Sequence, residues 1–233
     1  MTSVPISIVG DSFGCGEWRH DPEENDSLVC VHAGTEFYLK QFDFQVKNYS
    51  IGGNSMKNLL TSIVENNIRK QTIIVFATDS LRHIDEMSAQ KLTVKKGWSV
   101  AKLHYKCFMS WVKNLTKITQ QQKCKVVLVG GFANLYDFPI PSNMQVCTHS
   151  WISDILGTTI GHQSGIDNES LTKLHALQKY SSNNYKKEFI DIMDQKTYRE
   201  NLLKTHPAKF PDGIHPSREC HKLLTEKLIK LID

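Results

Sequence analysis

The sequence predicts an α/β fold, a mostly parallel five-stranded sheet covered by helices, on three observations. Short β-branched runs alternate with stretches of helical period, the pattern of a parallel sheet with crossover helices. Several of these runs end in glycine, at Gly10, Gly52-Gly53 and Gly130-Gly131, where the chain can turn sharply. Its 233 residues, 40% hydrophobic and 22% charged, match an ordinary globular chain long enough to bury a substantial core.

The elements follow in order. Val4 to Val9 reads as the first strand, and Gly10 allows the tight turn that delivers Ser12 to a helix N-terminus. Phe42 to Tyr49 alternates apolar and polar residues, with Phe44, Val46 and Tyr49 marking a second strand. Met56 to Arg69 places apolar residues at 56, 59, 60, 63 and 64, a helical period. Thr72 to Ala77 is a buried central strand by its β-branched run, and Lys125 to Val129 is another. Between them a helix is expected from about Val94 to Gln122, with Trp98, Ala101, Leu103, Cys107, Phe108, Trp111, Val112, Leu115 and Ile118 facing the core. Met144 to Trp151 is the fifth strand. A C-terminal helix starts near Ser217, with Leu223, Leu224, Leu228 and Ile229 as its apolar stripe.

The stretch from about Leu156 to Phe210 departs from this plan, with a glycine-rich loop (Gly157 to Gly165) and polar helical segments near Glu169 to Tyr180 and Tyr185 to Leu203. Ligands of open α/β sheets bind beyond the carboxyl ends of the strands. A helical insertion at 156–210 therefore either walls such a site or forms an outer layer away from it. With no internal repeat or low-complexity linker, residues 1–233 are expected to be one domain.

The formal charge of +4 is spread over helical stretches such as Lys91 to Lys106 without a dense run, which describes a solvated face and argues against a nucleic-acid partner. Ile6 to Val9 is too short for a signal peptide, and no segment reaches spanning length. The expectation is a cytoplasmic protein, or a phage-type protein that leaves its host by lysis. Cys15, Cys30, Cys107, Cys124, Cys147 and Cys220 show neither CxxC nor zinc spacing, and read as reduced structural thiols. Cys15 stands close to Ser12, where lining the turn is its simplest role. The histidines at 20, 32, 83, 104, 149, 162, 175, 206 and 221 lack a recurring ligand spacing. Gly10 to Gly16 lacks the Gly-Lys-Ser/Thr ending of a phosphate loop. No metal or organic cofactor is implied.

Two motifs at opposite ends carry chemistry: Gly10-Asp11-Ser12 after the first strand, and Asp212-Gly213-Ile214-His215-Pro216-Ser217 before the last helix. Serine is a weak nucleophile until an imidazole takes its proton, and a carboxylate fixes the tautomer of that imidazole and steadies its positive charge. Ser12, His215 and Asp212 supply the three groups. Alone, Asp212 and His215 would merely turn the chain and cap a helix. Together, the two motifs resemble the SGNH (GDSL) hydrolase superfamily, which carries its serine in a GDS motif after the first strand and its Asp and His three residues apart near the C-terminus.

That resemblance implies a three-layer α/β/α sandwich, flavodoxin-like in type, and an oxyanion site built from further blocks. Tyr49-Ser50-Ile51-Gly52-Gly53-Asn54-Ser55 is similar to the second block, with Gly53 as the match, so that the Ser12 and Gly53 amides would be oxyanion donors. The same double glycine also reads as a tight turn capped by Asn54 or Ser55. At the third block the sequence departs from the pattern: where the family carries Gly-x-Asn-Asp, this chain has Phe76-Ala77-Thr78-Asp79. Thr78 then takes the place of an asparagine donor, with a shorter hydroxyl, or shares the role with Asn54. Asp79 with Arg82 reads as a structural ion pair or turn bond. The resemblance implies a small-molecule or carbohydrate ester as substrate: a short acyl group on a sugar, a small lipid or a thioester. Trp18, Tyr136, Trp151 and Tyr180 are the aromatics available to line a carbohydrate site. The competing expectation is an SGNH-fold binding or assembly module with weak or no catalysis.

Overall fold

A computed structural model of the chain describes residues 5–78, 100–131, 135, 139–157 and 195–232. Strands β1 (Ile6–Val9), β4 (Val46–Asn48), β5 (Thr72–Ala77), β6 (Lys125–Gly130) and β7 (Met144–Thr148) form one sheet in the order β4-β1-β5-β6-β7, with every pairing parallel. In chain order this is 2-1-3-4-5, a doubly wound sheet whose order reverses between β1 and β5. A separate antiparallel hairpin, β2 (Glu17–Asp21) and β3 (Ser27–His32), leaves the chain directly after the first turn.

The described helices are α1 (Ser12–Cys15), α2 (Gly34–Gln41), α3 (Met56–Glu65), α4 (Val100–Gln121), α5 (Trp151–Leu156), α6 (Gln195–Thr205) and α7 (Arg218–Ile232). They cover both sheet faces. On one face Ile6, Ile8, Ile74, Phe76, Val127 and Val129 pack with Leu39 of α2, Trp151 and Ile152 of α5, Leu202 of α6 and Leu224 and Leu228 of α7. On the other, Ile73, Val75, Val126 and Leu128 pack with Leu59 and Ile63 of α3 and with Phe108, Trp111, Val112 and Leu115 of α4. Strands buried on both sides require near-continuous apolar sequence, which explains Thr-Ile-Ile-Val-Phe-Ala and Lys-Val-Val-Leu-Val.

Several expected bounds are corrected. The second strand spans only 46–48, because α2 runs through Gln41 and Phe42 closes it, 56% exposed, with its N–H on Leu39. The helix expected over 56–69 ends at Glu65, where the Asn66 side chain bonds back to the Ser62 carbonyl and Asn67 turns left-handed. The fifth strand stops at Thr148: Ser150 accepts from Ser153 N–H and caps α5, so Trp151 is helical. Leu223 is 52% exposed and outside the apolar stripe of α7, where Cys220, His221, Leu224, Thr225 and Leu228 are buried instead. Val64 is likewise exposed on α3. Residues 79–99 and 158–194 lie outside the described residues, and with them Asp79, Arg82, Trp98, the glycine-rich loop beyond Gly157 and most of the insertion; α6 is its described helix.

Candidate active site

The first half of the site is the turn after β1. A side chain at Gly10 would place its Cβ 2.8 Å from Phe76 Cβ on β5, so glycine lets the chain leave β1 against its neighbour. Asp11 then caps α1: its Oδ1 accepts from Phe13 N–H at 3.0 Å and its carbonyl from Gly14 N–H at 3.0 Å. Asn48, at the end of β4, donates to the Gly14 carbonyl at 2.9 Å and ties this short helix to the sheet. Ser12 is its first residue.

The second half is the loop before α7. Asp212 is wholly buried, and its Oδ1 accepts from Ile214 N–H at 3.0 Å and His215 N–H at 2.8 Å. Oδ2 accepts from His215 Nδ1 at 2.5 Å, and Nε2 of the same ring meets Ser12 Oγ at 2.7 Å. Burial pushes the Asp212 carboxyl up, yet the His215 hydrogen bond and charge and the two backbone N–H groups hold it below its ordinary value. An ionised Asp212 places the imidazole proton on Nδ1, which leaves Nε2 to accept from the serine hydroxyl. The fold thus brings Ser12, His215 and Asp212 into one chain of hydrogen bonds across 203 residues.

The loop is braced from outside. Gly213 has φ +85°, and a Cβ there would lie 2.7 Å from the Arg199 carbonyl and 2.8 Å from Leu203 Cγ on α6. The Arg199 guanidinium donates to the Asp212 carbonyl at 3.0 and 3.3 Å and meets His20 of the hairpin at 2.9 Å. At the hairpin root, buried Glu17 accepts from the Arg218 backbone N–H and side chain and from Arg19. Burial raises the Glu17 carboxyl, but Arg218 and Arg19 hold it below its ordinary value overall.

The expected oxyanion residues stand on the turn after β1 and on the segments that follow β4 and β5. Ser12 N–H, at the start of α1, has no intrahelical acceptor. The loop after β4 is fixed on the Gly10 carbonyl by Ile51 N–H at 3.2 Å and Asn54 Nδ2 at 3.5 Å. Gly53 lies exposed on it at φ +72°. Asn54 is buried, with Oδ1 accepting from Ser55 N–H, while Ser55 caps α3 through Asn58 N–H. Thr78, just beyond β5, is fully buried, and its hydroxyl has no hydrogen-bond partner among the described residues.

Cys15 is a poor nucleophile: burial, Cys30 and Asp11 push its thiol up to about 12. Trp151 is 3% exposed, in the core against Phe13, Phe76 and His221, so it cannot line an open wall. Tyr136 and Tyr180 lie outside the described residues. No three His, Cys, Asp or Glu residues cluster as metal ligands among the described residues, and no described helix is long and apolar enough to cross a membrane. Sequence reasoning missed Glu17, Asn48 and Arg199, whose roles depend on tertiary docking; only Trp18 was singled out, as an aromatic.

No protein-family model matches the chain, and no curated protein does. Among solved structures it is similar to a candidate lipolytic protein of the G-D-S-L family from Desulfitobacterium hafniense, at 13% identity and a TM-score of 0.45, covering 98% of this chain and 99% of that one. It is similar to the psychrotrophic esterase EstA from Pseudoalteromonas at 10% identity and a TM-score of 0.42, covering 98% and 96%. A Bacillus subtilis protein matches over 99% of this chain at 16% identity and a TM-score of 0.42, and there the chain spans only 56% of the neighbour.

Proposed function

We propose that the protein is a serine ester hydrolase of SGNH type that works through an acyl-enzyme, with residues 1–233 as one hydrolase domain carrying an insertion at 156–210. The observation that carries this reading is the continuous relay from Asp212 Oδ2 through His215 to Ser12 Oγ, with hydrogen-bond distances of 2.5 and 2.7 Å. As Ser12 Oγ bonds to the ester carbonyl carbon, its proton passes to His215 Nε2, and the new imidazolium is steadied by Asp212. Collapse of the tetrahedral intermediate expels the alcohol, which takes that proton. Water then attacks the acyl-serine by the same route, His215 accepting its proton and returning it to Ser12.

The negative oxygen of the intermediate needs fixed donors. The Ser12 and Gly53 amides are assigned to it, with the Thr78 hydroxyl as third donor; the Asn54 carboxamide braces the Gly10 turn and is the alternate. The substrate class proposed is an acyl ester of a small molecule or carbohydrate. Hydrolysis of p-nitrophenyl acetate tests the reading. Ser12→Ala and His215→Ala should each lower kcat by at least about 10³-fold without unfolding the protein. Equal turnover by the parent and both variants rejects it and favours a binding module.

A further inference from the structure

Hairpin β2–β3 adds no strand to the main sheet, yet it sends one side chain into the site. Trp18 Nε1 donates to the Ser12 carbonyl at 2.8 Å. The indole lies 5.5 Å from the His215 ring, tilted by 34°. Its far edge stands 3.2 Å from where a Cβ at Gly52 would sit, one residue before Gly53. Strand alternation alone would turn Trp18 away from the side that Glu17 faces. The β2–β3 register slips between Glu17 and Trp18, skipping Val31, and such bulges re-aim side chains. Glu17 is then locked to Arg218, at the start of α7. The indole is therefore fixed relative to both the serine turn and the histidine loop.

We propose that Trp18 is a positioning residue that aligns Ser12 with His215 and, through its ring face, favours the imidazolium formed during the reaction. This rests on the serine hydrolase reading. Its hydrogen bond holds the peptide that carries Oγ. The two ring centroids, 5.5 Å apart, are within the roughly 6 Å over which a cation is attracted to an aromatic ring, and that attraction exists only after the proton has moved, so it acts on the transition state. The charged or titratable groups that act on the imidazole are Asp212 on its own loop and His221 on α7; Asp11 caps α1, and the Glu17–Arg218 pair joins β2 to α7. His221 stays neutral: burial lowers its pKa to about 3.

The experiment compares the parent, Trp18→Phe and Trp18→Leu by fluorophosphonate labelling with peptide mapping, by kcat and KM on p-nitrophenyl acetate across pH, and by melting temperature. Trp18→Phe keeps a ring and loses the N–H; kcat should fall about 3- to 10-fold, with KM and the acid limb of the profile unchanged. Trp18→Leu loses both and should fall further, roughly 10- to 50-fold. Its acid limb should move to lower pH, because the ring no longer favours the imidazolium. An indole that only packs would change melting temperature without moving that limb. If the parent labels at Ser12 while both folded variants keep its kcat and acid limb, the Trp18 proposal is overturned and the serine reading stands. A parent that does not label at Ser12 removes both.

Discussion

Asp212 spends one oxygen on two backbone N–H groups and the other on the His215 ring, so a single buried carboxylate shapes its own loop and orients the base. Removing it should therefore harm turnover by a different route from removing the base. His215→Ala is expected to match Ser12→Ala in its loss of kcat, and Asp212→Ala to retain more activity, since a misoriented imidazole still accepts some protons; equal loss in all three would contradict that division. Thr78 tests the oxyanion assignment. Thr78→Val keeps the shape of a fully buried side chain and removes its hydroxyl, and should lower kcat and kcat/KM together by about 10- to 100-fold with KM nearly unchanged. Thr78→Asn should raise kcat above the parent. If neither variant changes kcat, and Asn54→Ala does not either, the third donor is misassigned. Ser12, Asp212 and His215 were legible in the sequence because each sits in a contiguous motif whose backbone turns are local. Trp18 Nε1 on Ser12 and Arg199 on Asp212 were not, since those contacts depend on how a hairpin and a distant helix dock.

Two elements outside the main sheet, hairpin β2–β3 and helix α6, converge on the loop that carries Asp212 and His215. The hairpin grips it through Glu17 on Arg218 and α6 through Arg199 on the Asp212 carbonyl. Glu17 is held below the ordinary carboxylate range, so the stability that it contributes is present above that range and lost as pH falls through its folded pKa. Glu17→Gln should melt below the parent at neutral pH, with the gap closing below about pH 4; a gap constant from pH 7 to pH 3 would show that the charge is immaterial. Gly213→Ala meets both a positive φ and the Arg199 carbonyl. It should destabilise by about 1–3 kcal/mol and lower kcat by displacing Asp212, whereas a parent-like melt would mean that α6 yields. Strands β5 and β6 were readable from their apolar runs. The hairpin was not, because Glu-Trp-Arg-His-Asp has no core-facing alternation, and its bulge puts two successive side chains to use. Helix α2 was missed for a related reason: it buries Gly34, Thr35 and Leu39 and leaves Phe37 exposed.

At the scale of the molecule, a doubly wound sheet brings the ends of β1, β4 and β5 to one edge, next to the reversal between β1 and β5. Ser12, Gly53 and Thr78 follow those three strands, and α7 returns across the same face, where it packs on α2. This geometry explains why motifs at the two ends of the sequence meet. It also explains why the sequence order of short apolar runs sufficed to anticipate a parallel sheet, while residues outside that plan could not be placed. The central claim is that the relay makes Ser12 an activated nucleophile, and reaction with a fluorophosphonate followed by peptide mapping tests it most directly. The account predicts one modified serine, Ser12, with labelling lost in Ser12→Ala and strongly slowed in His215→Ala. Modification at another serine, or no modification of the folded protein, would contradict it.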